Sequence, residues 1–515
     1  MYSLKRLASM WRSDFHLNNV FEDTVATDHL VDIVSRIQSV KCGLWWMCAA
    51  SQVFIRGCDT NTKRSQIWFV QRLPMLGYMS YVRSVVIDPL QDLAVAVSSN
   101  LAEQGRHVFS VTFWSVSSQR PHPDSACTSL ECKHPCFMAP DHHIFFVGQP
   151  AICGDRIVVL YFTTNIGSLG TRSNIFIQVI DWRKGLAKGY PLYELGWTEA
   201  DFHLLDEQRI IVIGPDSGRM ALYTLQELDG SPRRRIVYVL PKVQRYLRPL
   251  FGLSSPCVIH ATPSFHGAAA RPDLMPDYVT SPEAQIMVLE VLSRSWQVIL
   301  VIDMAIFSAK AVHSEIPVEI PWLEWGPKYA RCFPHHPSHR ISVFGRKMAY
   351  ALPQYRAPEP GQRLEELPTE GSFYVQIWDF SRTIARSECP GNIRDRNSPD
   401  RLICKPGRLA QTCFEEDIGN LLAYHPYATA VCPTGFSTRD FHRFFLEHDR
   451  LTLTWARPDS VHIQVVSPSQ MEVDLDVGQA HSPEPHEAKQ TQSRNKTNIL
   501  FHLLTKLLKR WRDSE

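Results

Sequence analysis

From about residue 65 to residue 466 the chain is cut into short runs in which apolar residues alternate with polar ones or stand in unbroken blocks of four to seven. The clearest runs predict strands over 67–70, 82–88, 93–97, 108–114, 144–147, 156–162, 175–182, 209–213 and 220–225. Further strands are predicted over 236–240, 285–292, 297–302, 373–380, 451–455 and 461–466. They are rich in Val, Ile, Phe, Tyr and Trp and are separated by turn residues, as sheet segments require. Helical periodicity is nearly absent, so an α/β fold would have no crossovers to build with.

An all-β chain of this size must dispose of its sheet edges, and radial repetition of small sheets is one solution. The strand ending Ile177-Gln178-Val179-Ile180-Asp181-Trp182 recurs as Val375-Gln376-Ile377-Trp378-Asp379-Phe380. Both resemble the strand ends of WD-type blades. The interval from Val179 to Leu222 is about 43 residues, a blade-like period, while other intervals are longer and carry insertions. The expectation is an all-β, degenerate WD-type β-propeller of about five to seven blades with short helical additions at both ends.

This pattern divides the chain. Residues 1–64 read as a helical N-terminal segment, with a helix over 25–40, and 65–477 as the propeller. Stretches 120–140, 263–282 and 357–371 read as exposed connections. Residues 478–498 are polar and predict a disordered linker. Beyond it a basic amphipathic helix spans 499–512, its apolar stripe made of Ile499, Leu500, Leu503, Leu504, Leu507, Leu508 and Trp511, with Lys506, Lys509, Arg510 and Arg512 on the other side.

Composition narrows the setting. The 515 residues are 44% hydrophobic, enough for a real core, and 21% charged. Lys plus Arg total 54 against 52 acids, a net charge of +2, which offers no electrostatic case for nucleic acid or an anionic membrane. Thirteen cysteines without framework spacing suit reduced thiols better than a secreted disulfide scaffold. The start of the chain has no leader-like apolar run, and the longest apolar runs, 42–50 and 298–302, are far too short to span a bilayer. These features predict a soluble protein of the cytoplasm or nucleus.

Several segments, in order, resemble the mushroom-type fungal F-box-like proteins. They are Asp88-Pro89-Leu90-Gln91-Asp92-Leu93, Gly154-Asp155-Arg156-Ile157-Val158, Ile180-Asp181-Trp182-Arg183-Lys184-Gly185 and Trp322-Leu323-Glu324-Trp325-Gly326-Pro327. Phe414-Glu415-Glu416-Asp417 with Leu422-Ala423-Tyr424 is similar to the last-blade pattern. The resemblance implies a divergent propeller behind an F-box that docks on a ubiquitin-ligase adaptor. The opening Leu-Pro signature of that box is missing. Only residues 4–12, with Leu4, Leu7 and Trp11, resemble its final helix and are candidate adaptor contacts.

Candidate chemistry is sparse. Cys127, Cys132, His134, Cys136, His142 and His143 have zinc-ligand chemistry, but their spacing presents no pair of knuckles. Asp141-His142-His143 lacks further acids at a suitable distance, and Gly214-Pro215-Asp216-Ser217-Gly218 reads as a β-turn rather than a nucleophile elbow. No phosphate-binding or dinucleotide fingerprint is present. Trp182, Trp322, Trp325, Trp378 and Trp455 are expected to wedge into the core rather than to stack on sugars. The expectation is therefore a non-catalytic propeller with no metal or cofactor, which binds proteins; the resemblance implies that it serves as a substrate-recognition adaptor of a ubiquitin ligase. The C-terminal stripe, Ile499, Leu503, Leu504, Leu507, Leu508 and Trp511, is a candidate partner-binding face. The alternatives are a propeller hydrolase of glycosidase or lactonase type, or a degenerate propeller with no surviving partner.

Overall fold

A computed structural model describes residues 17–27, 37–49, 52–57, 71–72, 81–100, 108–133, 142–165, 175–192, 200–214, 218–225, 231–241, 257–265, 280–292, 297–308, 316–335, 339–353, 371–381, 393–395, 398–404, 407–408, 422–423, 427–432 and 434–468. Within them the strands form seven sheets of four or more strands and one small two-stranded sheet. Three of the seven are built wholly from consecutive antiparallel strands. A fourth adds Val318–Ile320 in parallel to Arg233–Val239, a fifth skips that strand, and a sixth pairs Ser372–Asp379 with Tyr427–Val431 ahead of Ser398–Cys404. Blade 1 begins with Ile37–Lys41, blade 2 with Tyr81–Asp88, blade 3 with His142–Cys153, blade 4 with Asp201–Leu204, blade 5 with Cys257–Ala261 and blade 6 with Ile341–Phe344. Each of these is the innermost strand of its blade. Blade 7 takes Phe441–Leu446, Leu451–Ala456 and Ser460–Pro468 from the end of the chain, and its outermost strand, Leu17–Ala26, from the beginning.

The ring is visible in the packing. Among the described residues seven apolar clusters occur, and each joins two successive blades: blades 1 and 2, 2 and 3, and so on to blades 7 and 1. A strand between two neighbours must be apolar on both faces. In blade 3, Ile157, Val159 and Tyr161 pack toward blade 2 while Val158 and Leu160 pack toward blade 4. This is why the strand Ile175–Asp181 is buried at every position and is apolar apart from Gln178 and the terminal Asp181. The molecule is a seven-bladed β-propeller.

A second repeat lies in the backbone. The residue after the third strand of a blade donates its N–H to a carbonyl in or beside the first turn of the same blade. The bonds are Val116 to Asp92, Trp182 to Asp155, Leu225 to Gln208, Met304 to Gln285 and Phe380 to Arg346. The matching endings at Trp182 and Phe380 thus occupy equivalent places, and both rings are fully buried. Asp181, Asp303 and Asp379 before these residues are buried too, each accepting an N–H of the following turn.

Two expectations are corrected. The N-terminal segment is not a helix where it is described: Leu17–Ala26, Ile37–Lys41, Leu44–Ala49 and Gln52–Gly57 are strands, so the propeller begins well before residue 65. Val25 pairs with Val461 and is buried between blades 7 and 1, a long-range partnership that overrides local helical spacing. The 120–140 stretch is not wholly a loop, because Ser129–Lys133 forms the outer strand of blade 2. Trp322–Pro327 lies in a helix, Trp322–Tyr329, which packs both tryptophans into the core cluster of blades 4 and 5, as expected of them. The Trp322 ring occupies the space a side chain at Gly326 would need. The predicted strand 67–70, the segment 414–417, the linker 478–498 and the helix 499–512 lie outside the described residues.

Candidate functional site: the central channel

The innermost strands of a closed propeller surround a channel, and its two ends differ here. At the end carrying the first turn of each blade, Lys41 of blade 1 pairs with Asp88 of blade 2 at 3.1 Å, their side chains 5% and 3% exposed. Lys41 also donates to the Ser264 carbonyl at 2.8 Å, and its ammonium lies 5.2 Å from the centre of the Phe265 ring. Residues 262–265 belong to the long first connection of blade 5, so this segment reaches toward blade 1. The Ser264 hydroxyl donates to the Leu204 carbonyl of blade 4, and Thr262 Oγ1 accepts the Gly345 N–H of blade 6 at 2.7 Å. The segment 262–265 is tied to three blades besides its own and obstructs this end.

The same face carries the contact that closes the ring. Glu447 of blade 7 accepts the Gly43 N–H of blade 1 with both oxygens, at 3.0 and 3.2 Å. Burial raises its carboxyl, against the opposing pull of Arg450 and the turn amides. Burial also pushes the Cys42 and Cys153 thiols up to about 12, so neither supplies a thiolate near neutral pH.

Against the segment 262–265 lies a cavity of about 160 Å³ lined by His203, Asp206, Thr262, Ser264, Thr280 and Gln285 among others. Burial lowers the His203 pKa to about 4 and keeps its imidazole neutral. On the same strand Asp201 is raised to about 6 by burial, although the Ile259 and Phe202 N–H groups donate to it at 2.7 and 2.8 Å.

Toward the other end, blades 5 and 6 share a chain of hydrogen bonds. The His260 and His335 Nε2 atoms each lie 3.0 Å from a different oxygen of Glu290. His335 Nδ1 is 3.2 Å from the Tyr350 hydroxyl, which lies 2.6 Å from His339 Nδ1. Burial alone would raise the Glu290 carboxyl, but hydrogen bonds and charge from the two histidines outweigh it and hold it well below the usual range. Arg340, Arg443 and His442 belong to the same end. The Arg340 Nε donates to the His442 carbonyl at 3.2 Å, and His442 meets Gln38 of blade 1 at 3.0 Å.

Among the described residues, two of the seven innermost strands carry a carboxylate, Asp88 and Asp201. Asp88 is engaged by Lys41, the Leu90 N–H and the Gln91 amide. No described group of three or more His, Cys, Asp or Glu residues is placed to hold a metal ion. Within the zinc-like cluster, Cys132 is wholly buried between blades 2 and 3, Cys127 is half-buried beside it, and His142 and His143 begin blade 3; His134 and Cys136 lie outside the described residues. Trp182 is a core wedge, its indole donating to the Gly154 carbonyl at 3.2 Å. Leu4, Leu7 and Trp11 lie outside the described residues, as do Ile499, Leu503, Leu504, Leu507, Leu508 and Trp511. Sequence reasoning missed Lys41, Glu290, His335 and Arg443. No local motif marks them, because the channel assembles from distant strands.

No protein-family model matches the chain, and no curated protein matches it. Among solved structures it is similar to the WD40 domain of SCAP from fission yeast, at 8% identity and a TM-score of 0.34, over 89% of this chain and 98% of that one. It is also similar to an oligogalacturonate lyase in complex with manganese, at 9% identity and a TM-score of 0.39, over 89% and 99%. A third is prolyl oligopeptidase B from Galerina marginata, at 9% identity and a TM-score of 0.31, over 79% and 56%. Likeness this low carries no weight for function. The fold rests on the seven sheets and seven junction cores. No helix among the described residues is long and apolar enough to cross a membrane.

Proposed function

We propose that this propeller binds proteins and has no catalytic centre. It serves as a substrate-recognition adaptor linked to a ubiquitin ligase in the cytoplasm or nucleus, and derives from an F-box-like protein of the fungal family it resembles. The observation that carries the non-catalytic part is the scarcity of acids on the innermost strands. A glycosidase needs two carboxylates flanking its bond, about 5 to 9.5 Å apart. Here Asp88 is already engaged in the obstructed end of the channel. The ligase link rests on the sequence resemblance alone.

Asp201 favours the hydrolase reading, since a carboxyl raised to about 6 beside His260 has the protonation range of a general acid. Affinity capture of the full chain followed by mass spectrometry, run beside a panel of chromogenic glycosides and lactones, separates the two. Recovery of cullin and adaptor peptides with no turnover supports the adaptor. Turnover lost on Asp201→Asn would install the hydrolase instead, and an empty capture with no turnover leaves the degenerate propeller.

A further inference from the structure

We propose that the open mouth of the channel is an anion-binding site centred on Arg443, which receives an acidic side chain from a partner's inserted peptide; the identity of the guest as a peptide rests on the protein-binding reading above. Arg443 lies on Phe441–Leu446, the innermost strand of blade 7, and is exposed although Phe444 and Leu446 on the same strand are buried. A residue within an innermost strand can meet solvent only in the channel or at its mouths. Arg443 is thus open to the lumen while protein encloses it on the other sides.

Among the described residues its guanidinium makes no ion pair and no hydrogen bond. Two charges act on it. Arg340 has the same sign, and Glu290, which could neutralise it, has each of its oxygens engaged by a histidine at 3.0 Å. Burial and Arg340 both disfavour the cation, and the balance lowers its pKa. An arginine nonetheless stays protonated in proteins, so this unfavourable charge remains in the fold until an anion meets it. The planar fork of donors matches the two oxygens of a carboxylate.

The geometry also favours one route of entry. The far end is obstructed by the Lys41–Asp88 pair and by 262–265. Arg340 precedes the innermost strand of blade 6 and Arg443 lies near the start of that of blade 7, so both stand at the opposite end. A guest entering there can penetrate only part of the channel, which suits a loop tip or chain end with one leading acidic group.

The test uses the full chain and fluorescence anisotropy with a labelled octaglutamate peptide, with octalysine and inorganic phosphate as comparators. Wild-type protein should bind octaglutamate and not octalysine. Arg443→Gln should weaken that binding at least tenfold, and it should melt no lower than wild type, because the charge removed had no partner. Arg443→Lys should restore part of the binding. Equal binding by wild type and Arg443→Gln would overturn the site, and so would a glutamine variant that melts several degrees lower, which would make Arg443 a structural cation. Displacement of octaglutamate by phosphate at equal charge would assign the site to a free oxyanion and overturn the peptide guest. Affinity capture is scored separately: octaglutamate binding without any captured partner sinks the adaptor reading and leaves the anion site standing.

Discussion

Lys41→Met tests whether the obstructed end of the channel is held by its ion pair. The substitution keeps much of the side-chain volume and removes the cation. Asp88, 3% exposed, is left with the Leu90 N–H and the Gln91 amide but no counter-charge. The Ser264 carbonyl also loses its donor. Breaking a buried pair by removing one partner costs about 3–5 kcal/mol. For the unit Met1–Gln470, an unfolding entropy of about 2.1 cal/mol/K per residue gives a slope of roughly 1 kcal/mol per kelvin. The expected loss in melting temperature is therefore about 3–5 °C. Lys41→Met with Asp88→Asn removes both charges and keeps an acceptor for the Leu90 N–H, so it should melt above Lys41→Met alone. Differential scanning fluorimetry of the wild type, both single variants and the double variant closes the cycle. A Lys41→Met shift below about 1 °C, or a double variant falling by the sum of the singles, would show that the pair is not what holds this end.

Three further outcomes follow. Trp182→Ala should destabilise by about 3–5 kcal/mol in urea unfolding, since it empties the junction of blades 2 and 3, while Trp182→Phe should cost less. Gly154→Ala should also destabilise, by at least about 1–2 kcal/mol, because Gly154 has φ +56° and its new Cβ would meet the Glu207 carboxylate; adding Glu207→Ala should relieve the clash but not the backbone strain. The channel acids and bases oppose each other with pH. His203, lowered to about 4, makes stability rise with pH between about 4 and its ordinary 6.5, since the unfolded chain binds the extra proton. Asp201, raised to about 6 from 3.8, makes stability fall as pH rises through that interval, since here the folded chain holds the proton. Melting curves from pH 4 to 6.5 should therefore rise more steeply with pH in Asp201→Asn than in wild type, and less steeply in His203→Gln; an unchanged slope in either variant contradicts the assignment.

Much of the blade architecture was legible in the chain. A strand packed between two neighbouring blades is apolar on both faces, and runs such as 157–161 and 175–177 carry that signature in every residue. The Asp-then-aromatic endings at 181–182 and 379–380 marked equivalent third strands because each fixes the same turn. Local pattern misled at 25–26 and 37–40, where apolar spacing suggested a helix and the described residues are strands.

What lay beyond the sequence was everything that depends on which strand meets which. Leu17–Ala26 becomes the outer strand of the last blade only because the ring closes on Ser460–Pro468. The count of seven blades follows from that closure. The channel groups have the same origin: Glu290 and His335 come from blade 5, Arg340 from the start of blade 6 and Arg443 from blade 7, with no motif linking them. Hydrophobic burial is non-directional, so alternation along a chain specifies a strand and its buried faces but not its partner. Partner choice is settled when all seven junction cores form together, and only then do distant polar residues acquire a common channel.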